Sequence, residues 1–213
     1  MRIWPCVWMA VVCGAGTTQV ALADKGVVLK PTMVKPGAVV RDDQFDGTEL
    51  GKNWVAAKGD WSVKDGTIVG REKADDRHAA VLTLQQPHRN TILRYSFRLD
   101  GATNFNLSFN HAKGHLFRIA VSETGLTITK DKDKKDADSR PVVLAKAPGK
   151  FPSGQWHTML VEIQGDRVSV QTDNGVKLDA HEPSLDVDKT GYRFVMKNGP
   201  LLLDDVSVWQ VAP

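Results

Sequence analysis

NFNLSFNHAKGHLFRIAV, residues 104–121, decides how the chain is read. Phe105, Leu107 and Phe109 alternate with Asn106, Ser108 and Asn110, and then a short turn containing Gly114 carries His111 and His115. Phe117, Ile119 and Val121 then alternate around Arg118. Successive side chains of a strand point to opposite faces, so a period of two means a hairpin with one oily and one polar side. The same rule divides residues 91–99, setting Leu93, Tyr95, Phe97 and Leu99 against Arg94, Ser96 and Arg98. On residues 192–197 it sets Tyr192, Phe194 and Met196 against Arg193 and Lys197.

Working outward, the period stays near two after residue 38, and no long window repeats apolar residues at helical spacing. Asp65-Gly66, Gly165-Asp166 and Asn174-Gly175 each separate two such runs, as hairpin turns do, because Gly and Asn tolerate positive φ. About a dozen strands with short turns must cover their apolar faces, which predicts an all-β, two-sheet antiparallel jelly-roll sandwich over residues 39–213. Residues 24–38, with two prolines and two glycines, read as an extended lead-in. The run DKDKKDADSR, residues 131–140, reads as a solvated loop; Lys132, Lys134 and Lys135 among its acids argue against calcium, and no metal site or cofactor is expected.

Residues 1–23 read as a signal peptide, with Arg2 at the start, an apolar middle and Ala21-Leu22-Ala23 before Asp24. The apolar run falls short of a bilayer span and contains Pro5, so no membrane span is expected after cleavage, and the expected location is periplasmic or extracellular. Both cysteines, Cys6 and Cys13, fall in this segment, leaving no disulfide framework. A net charge of +3 over 213 residues gives no electrostatic case for nucleic acid.

FDGTELGKNWVAAKGDWSVKDGTIVGRE, residues 45–72, resembles the opening of the secreted 3-keto-disaccharide hydrolase family, a concanavalin A-like jelly-roll group. GQWHTMLVEIQGDRVSVQTDNGVKLD, residues 154–179, is similar to the Trp-led hairpin of that family and of laminin-G-like domains, and LLLDDVSVWQ to their last strand. The resemblance implies a sugar-binding concavity that receives a Glu and a Gln from one strand. In this chain Leu116 stands where the Glu would be and Arg118 where the Gln would be. A leucine cannot transfer a proton, so the resemblance implies a site lacking a principal acid. Trp61, Val63, Ile68 and Trp156 read as core residues in these stretches.

Local catalytic signatures are missing. No Glu-x-Asp-x-(x)-Glu strand, Gly-x-Ser-x-Gly or His-Glu-x-x-His occurs. The candidates that remain are His111 and His115 on their turn, and Glu162, a lone strand carboxylate that reads equally as a rim residue pairing with an arginine. His78, His88, His157 and His181 are scattered, and Asn106-Leu107-Ser108 matches a glycosylation acceptor in mid-strand.

The outward-facing residues Arg94, Arg98, Asn106, Ser108, Asn110, Arg118 and Arg193 are expected to share one concave face, a groove of planar donors and acceptors, with Trp54 or Tyr192 covering the flat side of a sugar ring. The expected function is an exported carbohydrate-binding protein without turnover, its partner a saccharide or glycan. Two alternatives stand beside it: a hydrolase or lyase acting on 3-keto-disaccharides, with Arg94 or Arg118 stabilising developing negative charge, and a structural or adhesive envelope module.

Overall fold

The computed structural model describes residues 28–213. The expected signal peptide, residues 1–23, with both cysteines, and the first four residues of the lead-in lie outside the described residues. Fifteen strands follow in chain order: β1 (Pro36–Asp43), β2 (Trp54–Lys58), β3 (Asp60–Lys64), β4 (Thr67–Arg71), β5 (Ala80–Leu84), β6 (Thr91–Leu99), β7 (Asn104–His111), β8 (Gly114–Ser122), β9 (Gly125–Lys130), β10 (Val142–Pro148), β11 (Trp156–Gln164), β12 (Arg167–Thr172), β13 (Lys177–His181), β14 (Tyr192–Lys197) and β15 (Leu201–Val211).

They form two antiparallel sheets. The first runs β13-β12-β11-β6-β15-β4-β3, with β1 added against β15; the second runs β10-β9-β8-β7-β14-β5-β2. Strand β15 does two jobs along its length. Leu201–Leu203 pair with β4, and from Val206 onward the strand pairs with β1. The change falls at a bulge between Asp204 and Ser207, where Asp205 takes φ 50°. A bulge adds twist and re-aims the strand, which lets one strand serve two neighbours on the same edge.

Alternation determines what the sheets bury. Tyr95 and Phe97 of the first sheet meet Phe105 and Phe194 of the second, with Tyr95–Phe194 and Phe97–Phe105 centroids 5.3 and 5.0 Å apart in edge-to-face contact. All four side chains are fully buried. Edge-to-face rings set the positive edge of one ring against the negative face of the next, adding to the stabilisation from burial alone. Thr91 Oγ1 and Tyr192 Oη hydrogen-bond across the layers at 2.6 Å, so the tyrosine brings its polar end into the core with a partner.

The structure departs from the sequence reading in four places. Strand β1 begins at Pro36. Strand β2, WVAAK, escaped notice because Ala56 and Ala57 carry no alternation; it is an edge strand and only Trp54 of it is buried. Trp156 is not core: it opens β11 opposite Arg98 and lies under that guanidinium on the outer face. Most consequential, β6 pairs with β11 and β15 and not with β7, because the chain crosses between the sheets at residues 100–103.

His88 shows what the interior tolerates. Its ring stacks on Tyr192 at 4.4 Å and meets the edge of Phe109. Nδ1 lies 2.9 Å from the Gln86 carbonyl, an acceptor only, so Nδ1 carries the proton. Nε2 is buried with no partner. Burial, with the positive Lys189 nearby, pushes the imidazole down to about 4 despite the Gln86 carbonyl, which favours the charged form. The fold therefore holds the ring neutral, whereas the unfolded chain protonates it near its ordinary value. Its contribution is complete above pH 6.5 and is lost as pH falls through about 4. The wild-type protein should lose about 3 kcal/mol more than His88→Phe between pH 7 and pH 4. Urea denaturation across that range measures it, and parallel stability profiles would contradict the assignment.

Candidate functional site

The outer face of the second sheet carries a row fixed by register. Thr83 of β5 stands opposite Arg193 of β14, Arg193 opposite Ser108 of β7, Ser108 opposite Arg118 of β8, and Arg118 opposite Thr129 of β9. Neighbouring strands lie about 4.8 Å apart, so these five side chains form a line about 19 Å long. Every member alternates with a buried core residue, such as Phe194 beside Arg193 and Leu107 beside Ser108. Core packing thus forces the row outward.

The two arginines differ. Arg118 donates to Asp131 from the loop after β9, a charge-assisted bond that holds its head in place. Arg193 is half-buried and, among the described residues, has no carboxylate or hydrogen-bond partner; burial lowers its pKa. Uncharged hydroxyls flank it on both sides. At the hairpin end, a bulge in β8 sets His115 opposite Asn110, and its Nδ1 lies 3.0 Å from the Asn110 side-chain oxygen. Partial burial, followed by Lys134 and Arg193, lowers the imidazole, while Asp131 opposes them. With Nδ1–H donating to Asn110, Nε2 is left as the free, basic nitrogen. His111 and Lys113 join His115 and the Asp131–Lys134 segment around a hollow of ≈ 540 Å³ at this end.

Asn106, Ser108, Asn110, Arg118 and Arg193 are thus brought together on one face, with His111 and His115 at its end. Arg94 and Arg98 are not: β6 belongs to the first sheet, and its outward face is on the other side of the sandwich. There Arg94 donates to Ser207 and lies over the Trp209 ring, and Arg98 pairs with Asp100 and lies over Trp156. Trp54 and Tyr192 offer no ring to a ligand, because both are core residues. Trp54 is committed to Asp43 through its indole N–H, and Tyr192 to Thr91. The outward positions of the row hold no aromatic residue.

Glu162 is withdrawn as well. It is fully buried on the outer side of the first sheet, where its carboxylate accepts the backbone N–H groups of Thr32, Met33 and Val34 at 2.8 to 3.1 Å and the Gln171 amide at 3.3 Å. Around it Val34, Leu29 and Met33 cover Ile92 and Leu160, a second small apolar cluster outside the main core. The carboxylate pushed up to about 6, mainly by burial, is Asp204 at the β15 bulge, opposite Ser96 and so also on the first sheet.

Sequence reasoning missed Thr83, Thr129 and Asp131. GLTITK alternates, so Thr129 was legible in principle, while AVLTL alternates only at its end, Leu82-Thr83-Leu84; Asp131 was not legible, because its role depends on where the loop folds back. Also missed was a difference in charge between the sheets. The seven strands of the second sheet contain no Asp or Glu at all. Among the described residues, no group of three or more His, Cys, Asp or Glu side chains could hold a metal ion, and no helix is long and apolar enough to cross a membrane.

The architecture is the jelly roll of carbohydrate-binding modules and glycanases. A carbohydrate-binding module CBM66 from Bacillus subtilis matches at TM-score 0.60 and 14% identity, covering 74% of this chain and 96% of that one. A laminarinase from Flavobacterium sp. UMI-01 matches at TM-score 0.58 and 11% identity, covering 81% and 100%. A LamA variant from Z. galactanivorans, in complex with laminaritriose and laminaritetraose, matches at TM-score 0.60 and 11% identity, covering 83% and 100%. At such identities the likeness is one of fold. No curated protein matches the chain in sequence. The chain belongs to the family described as the 3-keto-alpha-glucoside-1,2-lyase-like domain, whose profile matches residues 42–208.

If Glu162 is structural, Glu162→Ala leaves three backbone donors of the segment 32–34 without their acceptor. The cost should be about 2 to 4 kcal/mol by denaturation, because the orphaned groups lose hydrogen bonds in a buried setting. Protease cleavage near Thr32 should also rise.

Proposed function

We propose that this is an exported saccharide-binding protein that engages its ligand on the outer face of the second sheet without turning it over. The carrying observation is the register-fixed row Thr83, Arg193, Ser108, Arg118 and Thr129. It offers guanidinium donors beside hydroxyls that can both donate and accept, with Asn106 and Asn110 adding carboxamides on the same strand, and sugar hydroxyls need partners of both kinds. Arg193, with no partner among the described residues, has its donors free for a ligand. The carbohydrate-binding module and the glycanases that share the fold lend support. So does the absence of carboxylates from these strands, since two positioned carboxylates are what most glycoside hydrolases use.

A second reading follows from the family and from His115. A 1,2-lyase acting on a 3-keto glucoside must remove the proton at C2, next to the ketone, as the bond from C1 to its leaving oxygen breaks. His115, lowered toward the neutral form with Nε2 free, is the base within this face, and Arg193 is the cation able to stabilise the enolate.

Incubating the purified protein with ordinary and 3-keto disaccharides, and following both retention and cleavage, separates the two readings. We expect retention without cleavage. Arg193→Ala should weaken binding about tenfold or more, the worth of one charged hydrogen bond, and Arg98→Ala on the opposite face should leave it unchanged. Cleavage of the 3-keto sugar that disappears in His115→Ala would replace the first reading with the second.

A further inference from the structure

The charge on the second sheet points to a narrower ligand class, an inference that rests on the saccharide-binding reading. In addition to Arg193 and Arg118, the outward rows hold Lys146 of β10, in register with Thr127, and Lys197 of β14, in register with Asn104. His115 and Lys134 lie at the hairpin end. Acids line the hollow at that end, Asp131, Asp133, Asp136 and Asp188, and Arg118 holds the first of them. Among the described residues Arg193, Lys146 and Lys197 make no ion pair, whereas Arg41, Arg89, Arg98 and Arg118 each carry an aspartate partner.

A guanidinium taken half out of water with no counter-charge is unfavourable unless something supplies one. Threonine and serine on either side cannot. The neighbouring row offers only Val81, Val195 and Asn106. Among the described residues the outward row holds no Trp, Tyr or Phe ring for a flat sugar to stack on, which leaves electrostatic complementarity as the source of selectivity. A carboxylate or sulfate fits the fork of Arg193 in two parallel hydrogen bonds. Arg118 stands two strands away, about 10 Å, so an anion on one sugar unit and the hydroxyls of the next can be met together.

We propose that the face centred on Arg193 selects saccharides bearing an anionic substituent, a uronate carboxylate or a sulfate ester, over their neutral counterparts. Arg193 receives the anion, and Thr83 and Asn106 receive adjoining hydroxyls. Lys146 and Lys197 extend the positive field along a longer chain.

Titration calorimetry of the full-length mature chain tests this with oligosaccharides of galacturonate, mannuronate and sulfated galactose. Each is set against its neutral form, the methyl ester for the uronates and the desulfated sugar for the galactan. At least one anionic member should bind tenfold or more tighter than its neutral partner and weaken severalfold from 50 to 200 mM salt, with the uronate and sulfate arms identifying the anion. Arg193→Gln should remove that preference while keeping the weaker neutral binding; Arg98→Gln should keep the preference. If neutral saccharides bind as well as every anionic one, the charge inference falls and the saccharide-binding reading stands. If no saccharide of either kind binds, both fall.

Discussion

The structure depends on the contact between Tyr95 and Phe97 of one sheet and Phe105 and Phe194 of the other. These rings fix which side of each strand is dry. Because a strand has only two sides, that choice also fixes which side is wet, and shifting any of these strands by one residue would send every charged neighbour into the core. The outward row is therefore a by-product of packing in its placement. It is not a by-product in its composition, because a solvated face could be filled with lysine and glutamate in any mixture, and this one contains no acid on its strands.

That difference separates the two faces of the molecule. On the first sheet several outward groups are engaged: Arg94 with Ser207 and Trp209, Arg98 with Asp100 and Trp156, Glu162 with three backbone donors. Residues 29–34 close over part of it. On the second sheet Arg193 and the hydroxyls beside it retain their hydrogen-bonding capacity, and the covering segment is on the other side. The family match and the likeness to glycanases describe the scaffold; what distinguishes this face is His115 at its end and strands that carry no carboxylate.

Much of this was legible from residue order. The period of two in residues 91–99, 104–121 and 192–197 gave the fold class and the inward residues, since alternation is a local property of the strand. It also gave the outward side chains, including Asn106, Ser108, Arg118 and Arg193. What alternation cannot carry is adjacency between strands. Strands β6 and β7 are consecutive and both alternate, yet the four residues between them cross from sheet to sheet, so Arg94 and Arg98 were assigned to a face they do not share. Trp54 and Tyr192 differ in legibility. Alternation already set Tyr192 with Phe194 and Met196, which argues against offering its ring to a sugar, whereas Trp54 opens a strand without alternation; Thr91 and Asp43 hold the two side chains inward.

Strand β15 lies at the middle of the first sheet and touches β6, β4 and β1, yet it follows all of them in the chain. Until its 11 residues leave the ribosome, three strands have open flanks and the apolar layer of that sheet has a gap through its centre. Pairings so distant along the chain form slowly, and a half-made chain has little to gain by collapsing early. The first sheet can therefore close only once β15 has been made.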